Sequence, residues 1–188
     1  MKTFIPYGRQ NINKVDIDEV VKVLKSDWIM QGPKAKEFED ALAEYCGSKY
    51  AVVVSSGTAA LHLACLAVGF KKNDEAITTP ITFSATSNSV IYAGGKPVFA
   101  DIDYETLNID LQQIIKKING KTKAILPVHF AGLPCDMIEI AKIAKKNKLI
   151  VIEDACQALG AEYRHQGRWY KVGNGKHSDM TTFSFHPV

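Results

Sequence analysis

Short apolar runs that return between helical stretches restrict the fold of this chain more than any other feature. Residues 75–79 (EAITT), 96–101 (KPVFAD), 122–128 (TKAILPV) and 149–153 (LIVIE) read as strands, with Pro127 at the end of its run. Between them, 81–93, 110–118 and 137–147 carry apolar residues at helical spacing. Gly94-Gly95 stops the first of these helices, and Asp110 and Asp136 are N-cap residues for the others. The strand runs are continuously apolar, which suits strands covered on both faces. Strands alternating with helices predict βαβ units around a mostly parallel sheet, an α/β fold. Upstream, 16–25 reads as a helix with Ile17, Val20, Val21 and Leu24 on one face. Residues 34–45 read as a second, with Phe38, Ala41, Leu42 and Tyr45 turned inward. The loop joining them ends in Gly32-Pro33, and its Trp28 either fills a hole in the core or walls a ligand cleft. After Ala161 the chain turns polar and glycine-rich, and 178–185 resumes as a strand.

The stretch AVVVSSGTAALHLA, residues 51–64, is where chemistry is expected. Valine-rich 51–54 reads as a buried strand, Ser55-Ser56-Gly57-Thr58 as a tight turn and 59–68 as a helix. A helix start leaves backbone N–H groups unpaired. With the helix dipole and the neighbouring hydroxyls, they form a cup for a phosphate dianion. Gly57 lets the backbone approach that phosphate closely. An ordinary turn capped by Thr58 has the same residues, so the remaining strand ends must decide.

Composition removes several classes. The chain has 188 residues, 46% hydrophobic and 23% charged, with a net charge of +3, as expected of a globular α/β domain. Lys142, Lys145, Lys146 and Lys148 cluster at the end of one helix, where cations suit the dipole. No aromatic or glycine-rich binding motif accompanies them, so nucleic acid is not an expected partner. No signal-peptide segment opens the chain and no apolar run reaches membrane-span length, so a cytoplasmic location is expected. Cys46, Cys65, Cys135 and Cys156 are far apart and read as buried free thiols. The histidines have no metal-ligand spacing. Neither GxGxxG nor GxxxxGK[ST] occurs, which argues against a dinucleotide-binding module and a nucleoside triphosphatase.

In an open parallel sheet, ligands bind beyond the carboxyl ends of the strands. Those ends carry Ser55 to Thr58, Thr79 to Phe83, His129, Asp154 to Gln157 and Ser184 to His186. The set offers a phosphate cup, a carboxylate at a strand tip, an aromatic ring and a hydroxyl-imidazole pair. A flat, cationic, phosphorylated heteroaromatic satisfies all of them, and pyridoxal 5′-phosphate has that shape and charge.

The blocks WIMQGPKAKEFE, SSGTAALHLA, DEAITTPITFSAT, GGKPVFADID, TKAILPVHFAG, VIEDACQALGAEY and FSFHPV, spread over residues 5–188, resemble the DegT/DnrJ/EryC1/StrS sugar aminotransferases. These are pyridoxal-phosphate enzymes of fold type I, and the resemblance implies a three-layer α/β/α large domain. IPYGRQ, TTPITF, VHFAG and SFHPV are most similar to the branch acting on UDP-linked 4-keto-6-deoxy-N-acetylhexosamines in pseudaminic acid synthesis.

The resemblance also implies roles. Gly57, Thr58, Ala59 and Ser184 would hold the phosphate, Phe83 would stack on the pyridine ring, and Gln157 would bond the phenolic oxygen. Asp154 would keep the ring nitrogen protonated and is the implied catalytic carboxylate. Tyr7, Asp27, Trp28, Ile29, Met30 and Ser56 would lie near the sugar nucleotide; His129 and His186 carry no assigned role. The implied reaction is amino transfer from glutamate to a 4-keto nucleotide sugar in a homodimer. In the family, FSFHP is followed within two residues by the lysine that bonds the cofactor. Here the sequence stops at Val188, so an N-terminal piece of the large domain, without the small domain and inactive alone, is expected. A sugar dehydratase, with histidine in place of that lysine, and a non-catalytic fragment are the other readings.

Overall fold

The computed structural model describes residues 10–186, so the expectation for Tyr7 lies outside the described residues. Its core is a five-stranded, wholly parallel sheet. The strands are β1 (Glu75–Thr78), β2 (Lys96–Phe99), β3 (Thr122–Leu126), β4 (Ile150–Asp154) and β7 (Met180–Thr182), in the order β2-β1-β3-β4-β7. The chain runs outward from β1 to β2, then returns to build β3, β4 and β7 on the other side of β1. That reversal makes the ends of β1 and β3 the switch point of the sheet.

Both faces of the sheet are covered. Side chains alternate along a strand, so neighbouring residues pack into different layers. Ala76, Ala124, Leu126 and Ile152 meet Ala64 and Cys65 of α3 (Gly57–Val68) and Val90 of α4 (Ala85–Tyr92). Ile77, Ile125 and Val151 meet Ile114 of α5 (Leu111–Lys117) and Met137, Ile140 and Ala144 of α6 (Met137–Asn147). The fold is three-layer α/β/α. Asp110 and Asp136 cap α5 and α6, each accepting a first-turn N–H, and Lys145 and Lys146 occupy the last turn of α6.

Upstream, α1 (Lys14–Leu24) is opened by a capping box between Asn13 and Asp16. α2 (Pro33–Cys46) starts with proline and ends at left-handed Gly47. Of α2, only Cys46 is buried, so the inward turn expected of Phe38 and Tyr45 is partial. Phe38 packs edge-on against Phe185, with ring centroids 5.0 Å apart.

Several expectations are corrected. Residues 51–54 are not a buried strand: they pair with no described strand, and Val52 is 75% exposed. A cleft of about 990 Å3 separates them from β7, so no described strand supplies the ladder a strand needs. Trp28 does not fill the core; it is 61% exposed. The strand expected over 178–185 shortens to β7. The polar, glycine-rich stretch after Ala161, with no element expected before residue 178, contains a hairpin, β5 (Glu162–His165) with β6 (Arg168–Lys171). Gln166 and Gly167 turn it with φ of 47° and 80°, the double positive φ that matches strand twist.

Candidate functional site

The alternation that divides the core also sorts the charges at the end of β4. Ile152 faces α3 and α4, so Asp154 faces them too, while Glu153 points toward α5 and α6. The Asp154 backbone is fixed on both sides: its N–H donates to Pro127 O at 2.9 Å, and its carbonyl accepts from His129 N–H at 3.1 Å. Asp154 is 5% exposed, and its Oδ2 accepts from Thr86 Oγ1 at 2.6 Å. Its Oδ1 accepts the Cys156 N–H at 3.3 Å. Hydrogen bonds to a buried charged acceptor are strong ones, and these hold the carboxylate in one orientation.

Glu153 forms a separate network on the opposite face. His129 Nδ1 accepts the Cys135 N–H at 3.1 Å, so Nε2 carries the ring hydrogen and donates to Glu153 Oε2 at 2.8 Å. Ser178 and Thr181 donate their hydroxyls to Glu153 Oε1. Burial pushes the Glu153 carboxyl up, but the hydrogen bonds from His129, Ser178 and Thr181 outweigh it and hold the carboxyl below its usual range. His129 is fully buried in this network and does not face the cleft.

At the start of α3 the cap is Ser56, not Thr58: Ser56 Oγ accepts the Ala59 N–H at 3.1 Å. The first-turn N–H groups of Gly57 and Thr58 remain as outward donors. Gly57 is buried, and a Cβ there would lie 2.9 Å from Ser184 Cβ and 3.1 Å from Cys156 Sγ. Only glycine allows this approach, which brings the end of β7 and the turn after β4 against the helix start. Ser184 Oγ accepts the His186 N–H at 3.2 Å, so its own hydrogen is available to a ligand. Gln157 Oε1 accepts the Ala131 N–H at 3.1 Å, which leaves its NH2 group as a donor. Phe83 is 75% exposed, one helical turn before Thr86. Burial beside Asp154 pushes the Cys156 thiol far up, so it stays protonated at neutral pH.

The structure therefore unites Gly57, Thr58, Ser184, Asp154 and Cys156, with Phe83 and Gln157 on adjoining turns. It does not unite Asp27, Trp28, Ile29 and Met30 with them. Those residues are exposed between α1 and α2, and among the described residues no hydrogen bond joins them to Gly57, Asp154 or Ser184. No group of three potential metal ligands occurs among the described residues, and no described helix is long and apolar enough to cross a membrane.

Residues 10–188 match the DegT/DnrJ/EryC1/StrS aminotransferase family. The chain belongs to that family. Its relatives include MJ1066 of Methanocaldococcus jannaschii, an uncharacterized protein 49% identical over 98% of this chain and 46% of its own length. Among solved structures, the pyridoxal-phosphate form of the putative sugar aminotransferase Spr1654 from Streptococcus pneumoniae superposes with a TM-score of 0.90 at 32% identity. It covers 98% of this chain and 49% of that one. Helicobacter pylori PseC, an aminotransferase involved in the biosynthesis of pseudoaminic acid, superposes with a TM-score of 0.89 at 37% identity, covering 97% of this chain and 48% of that one. The chain spans about half the length of the relatives it matches. As a DegT/DnrJ/EryC1/StrS aminotransferase chain it has the fold of the fold-type-I large domain.

Thr86 is the site residue that sequence reasoning missed. Its signal was available: it follows Phe83 by one helical turn in PITFSAT, so any ligand stacked on Phe83 lies beside it. Its partner Asp154 is 68 residues away, and no local pattern announces such a pair.

Proposed function

We propose that this chain holds pyridoxal 5′-phosphate and serves amino transfer from glutamate to a 4-keto-6-deoxy nucleotide sugar. A UDP-linked N-acetylhexosamine is the proposed substrate class, and the complete protein is proposed to act as a homodimer. All 188 residues are assigned to the cofactor-holding large domain. The observation that carries this reading is the pairing of an anchored, buried Asp154 carboxylate with the open start of α3. The donor set fits the cofactor at both ends. Gly57 and Thr58 N–H groups, the Thr58 hydroxyl and the Ser184 hydroxyl suit a phosphate dianion, in a cradle that a Cβ at residue 57 would fill. Asp154 suits a protonated ring nitrogen, the Gln157 NH2 a phenolate oxygen, and Phe83 one ring face.

When bound, the cofactor supplies an aldehyde that takes up amino groups and a ring that withdraws electrons from the carbon being deprotonated. The chain's own part is to bind and orient it. The Asp154 anion keeps the proton on the ring nitrogen, because a buried carboxylate stabilises an adjacent cation. The Gln157 NH2 group would help to orient the ring, and Phe83 would exclude water from one face. Asp27, Trp28, Ile29, Met30 and Ser56, with Tyr7, are assigned to the nucleotide sugar, a reading that the relation to PseC supports.

The test is a spectroscopic titration of the intact protein with pyridoxal 5′-phosphate, followed by incubation with glutamate and a UDP-4-keto-6-deoxy-N-acetylhexosamine. Saturable binding with the 4-amino sugar as product is expected. Saturable binding without amino transfer would overturn the substrate, and absence of binding would overturn the cofactor.

A further inference from the structure

We propose that Thr86, backed by Thr82, is a positioning residue that fixes the Asp154 carboxylate and reserves its Oδ1 for the cofactor's ring nitrogen. The inference rests on the reading that this site holds pyridoxal 5′-phosphate. Thr86 is 0% exposed and lies in the first turn of α4, facing the end of β4. Its Oγ1 has three neighbours: Asp154 Oδ2 at 2.6 Å, Thr82 Oγ1 at 2.8 Å and Phe83 O at 3.1 Å. A threonine hydroxyl has one hydrogen to give and lone pairs to receive with. Asp154 as an anion and Phe83 O as a carbonyl can only accept. The hydrogen goes to the carboxylate, the nearer and charged acceptor. Thr82 is the one neighbour that can donate, so it must donate to Thr86. The direction of the chain is then fixed: Thr82 O–H to Thr86 O–H to Asp154 Oδ2.

Aligned hydrogen bonds polarise each other, so Thr82 strengthens the bond that Thr86 makes. No water is on hand to replace that bond, since Asp154 is itself buried. The two carboxylate oxygens are therefore unequal. Oδ2 is committed to Thr86 at 2.6 Å, whereas Oδ1 accepts the longer 3.3 Å contact from Cys156 N–H, with the weak donor of the Cys156 thiol beside the same carboxylate. Any rotation of the carboxylate short of a half-turn would break the shorter bond, so one oxygen position stays with Thr86 and the other stays open. Threonine suits this task better than serine because branching at Cβ restricts χ1 and holds the hydroxyl on target. The effect belongs to the network on the α4 side alone; the Glu153 network lies on the other face.

The test compares Thr86→Val, which keeps shape and removes the hydroxyl, with Thr86→Ser and Thr82→Val in the intact protein. The readouts are cofactor affinity, the pH dependence of the bound cofactor's absorption and thermal unfolding without cofactor. Thr86→Val is expected to weaken pyridoxal 5′-phosphate binding about tenfold or more and to shift the spectral pH profile. Thr86→Ser should restore both to within about threefold. Thr82→Val should move both in the same direction by less, and it keeps the test open if Thr86→Val does not fold. An unchanged affinity and pH profile in Thr86→Val would overturn the proposal. So would a Thr86→Ser variant as impaired as Thr86→Val, since packing rather than the hydroxyl would then be at work. A wild-type protein that binds no cofactor would overturn the reading of the site itself, a result distinct from either.

Discussion

His129 and Glu153 meet through a 2.8 Å hydrogen bond at the ends of adjacent strands, with both side chains out of reach of solvent. Removing one partner of a buried pair leaves the other uncompensated. His129→Ala should lower unfolding free energy by about 3 kcal/mol, read from the shift in urea midpoint at constant slope. A change below the scatter of the measurement would show that Ser178 and Thr181 satisfy Glu153 alone.

Glu153 also sets an acid limit. Its carboxyl is held below the ordinary glutamate value of 4.5, so the folded state binds the proton less readily than the unfolded chain. Its stabilisation is complete above 4.5 and is lost as pH falls through the lower native value. Urea midpoints measured through this range should fall more steeply for the wild type than for Glu153→Gln. Parallel curves would remove Glu153 from the account.

Gly57→Ala separates cofactor binding from folding. Alanine is the better helix former by about 1 kcal/mol, which offsets part of the crowding against Ser184 and Cys156. Melting temperature should change little while pyridoxal 5′-phosphate affinity drops at least tenfold, because Ser184 must move off the helix start. Unchanged affinity would return the start of α3 to the role of an ordinary turn.

Asp154→Asn keeps the shape and loses the charge. The protein should fold, with the Thr86 hydroxyl still donating to the amide oxygen, but the spectrum of the bound cofactor should change and amino transfer should cease. Near-wild-type turnover in that variant would discard Asp154 as the ring-nitrogen partner.

The thiols should be silent in the native state. Burial raises Cys65 and Cys135 to about 12, raises Cys46, and together with Asp154 raises Cys156 further still. An Ellman titration should register little in buffer and all four thiols in denaturant. A rapidly reacting thiol in buffer would locate a segment that opens.

Much of this architecture could be read along the chain because it is locally encoded. Asp110 and Asp136 sit where helix starts need acceptors, and the apolar runs of β1, β3 and β4 have no alternative to a doubly covered sheet. Where the reading failed, the deciding partner was elsewhere. Residues 51–54 have the composition of a core strand, yet a strand exists only beside another, and β7 lies across a cleft. The β5–β6 hairpin carries mostly polar residues and turns at Gln166-Gly167, a weaker turn signal than Asn-Gly. Thr86 and His129 resemble ordinary polar residues until the sheet brings Asp154 and Glu153 to them.

Three residues of β7 tie these parts together. Thr181 stands in register with Glu153 and Thr182 with Asp154, and the chain then carries Ser184 to Gly57. Parity along this strand is therefore a master setting. A slip of one residue would exchange the faces of Thr181 and Thr182, strip Glu153 of a hydroxyl and withdraw Ser184 from the helix start in a single movement. The hydroxyl supplied to Glu153 and the contact of Ser184 with Gly57 would be lost together, because one short strand is the common beam from which both are hung.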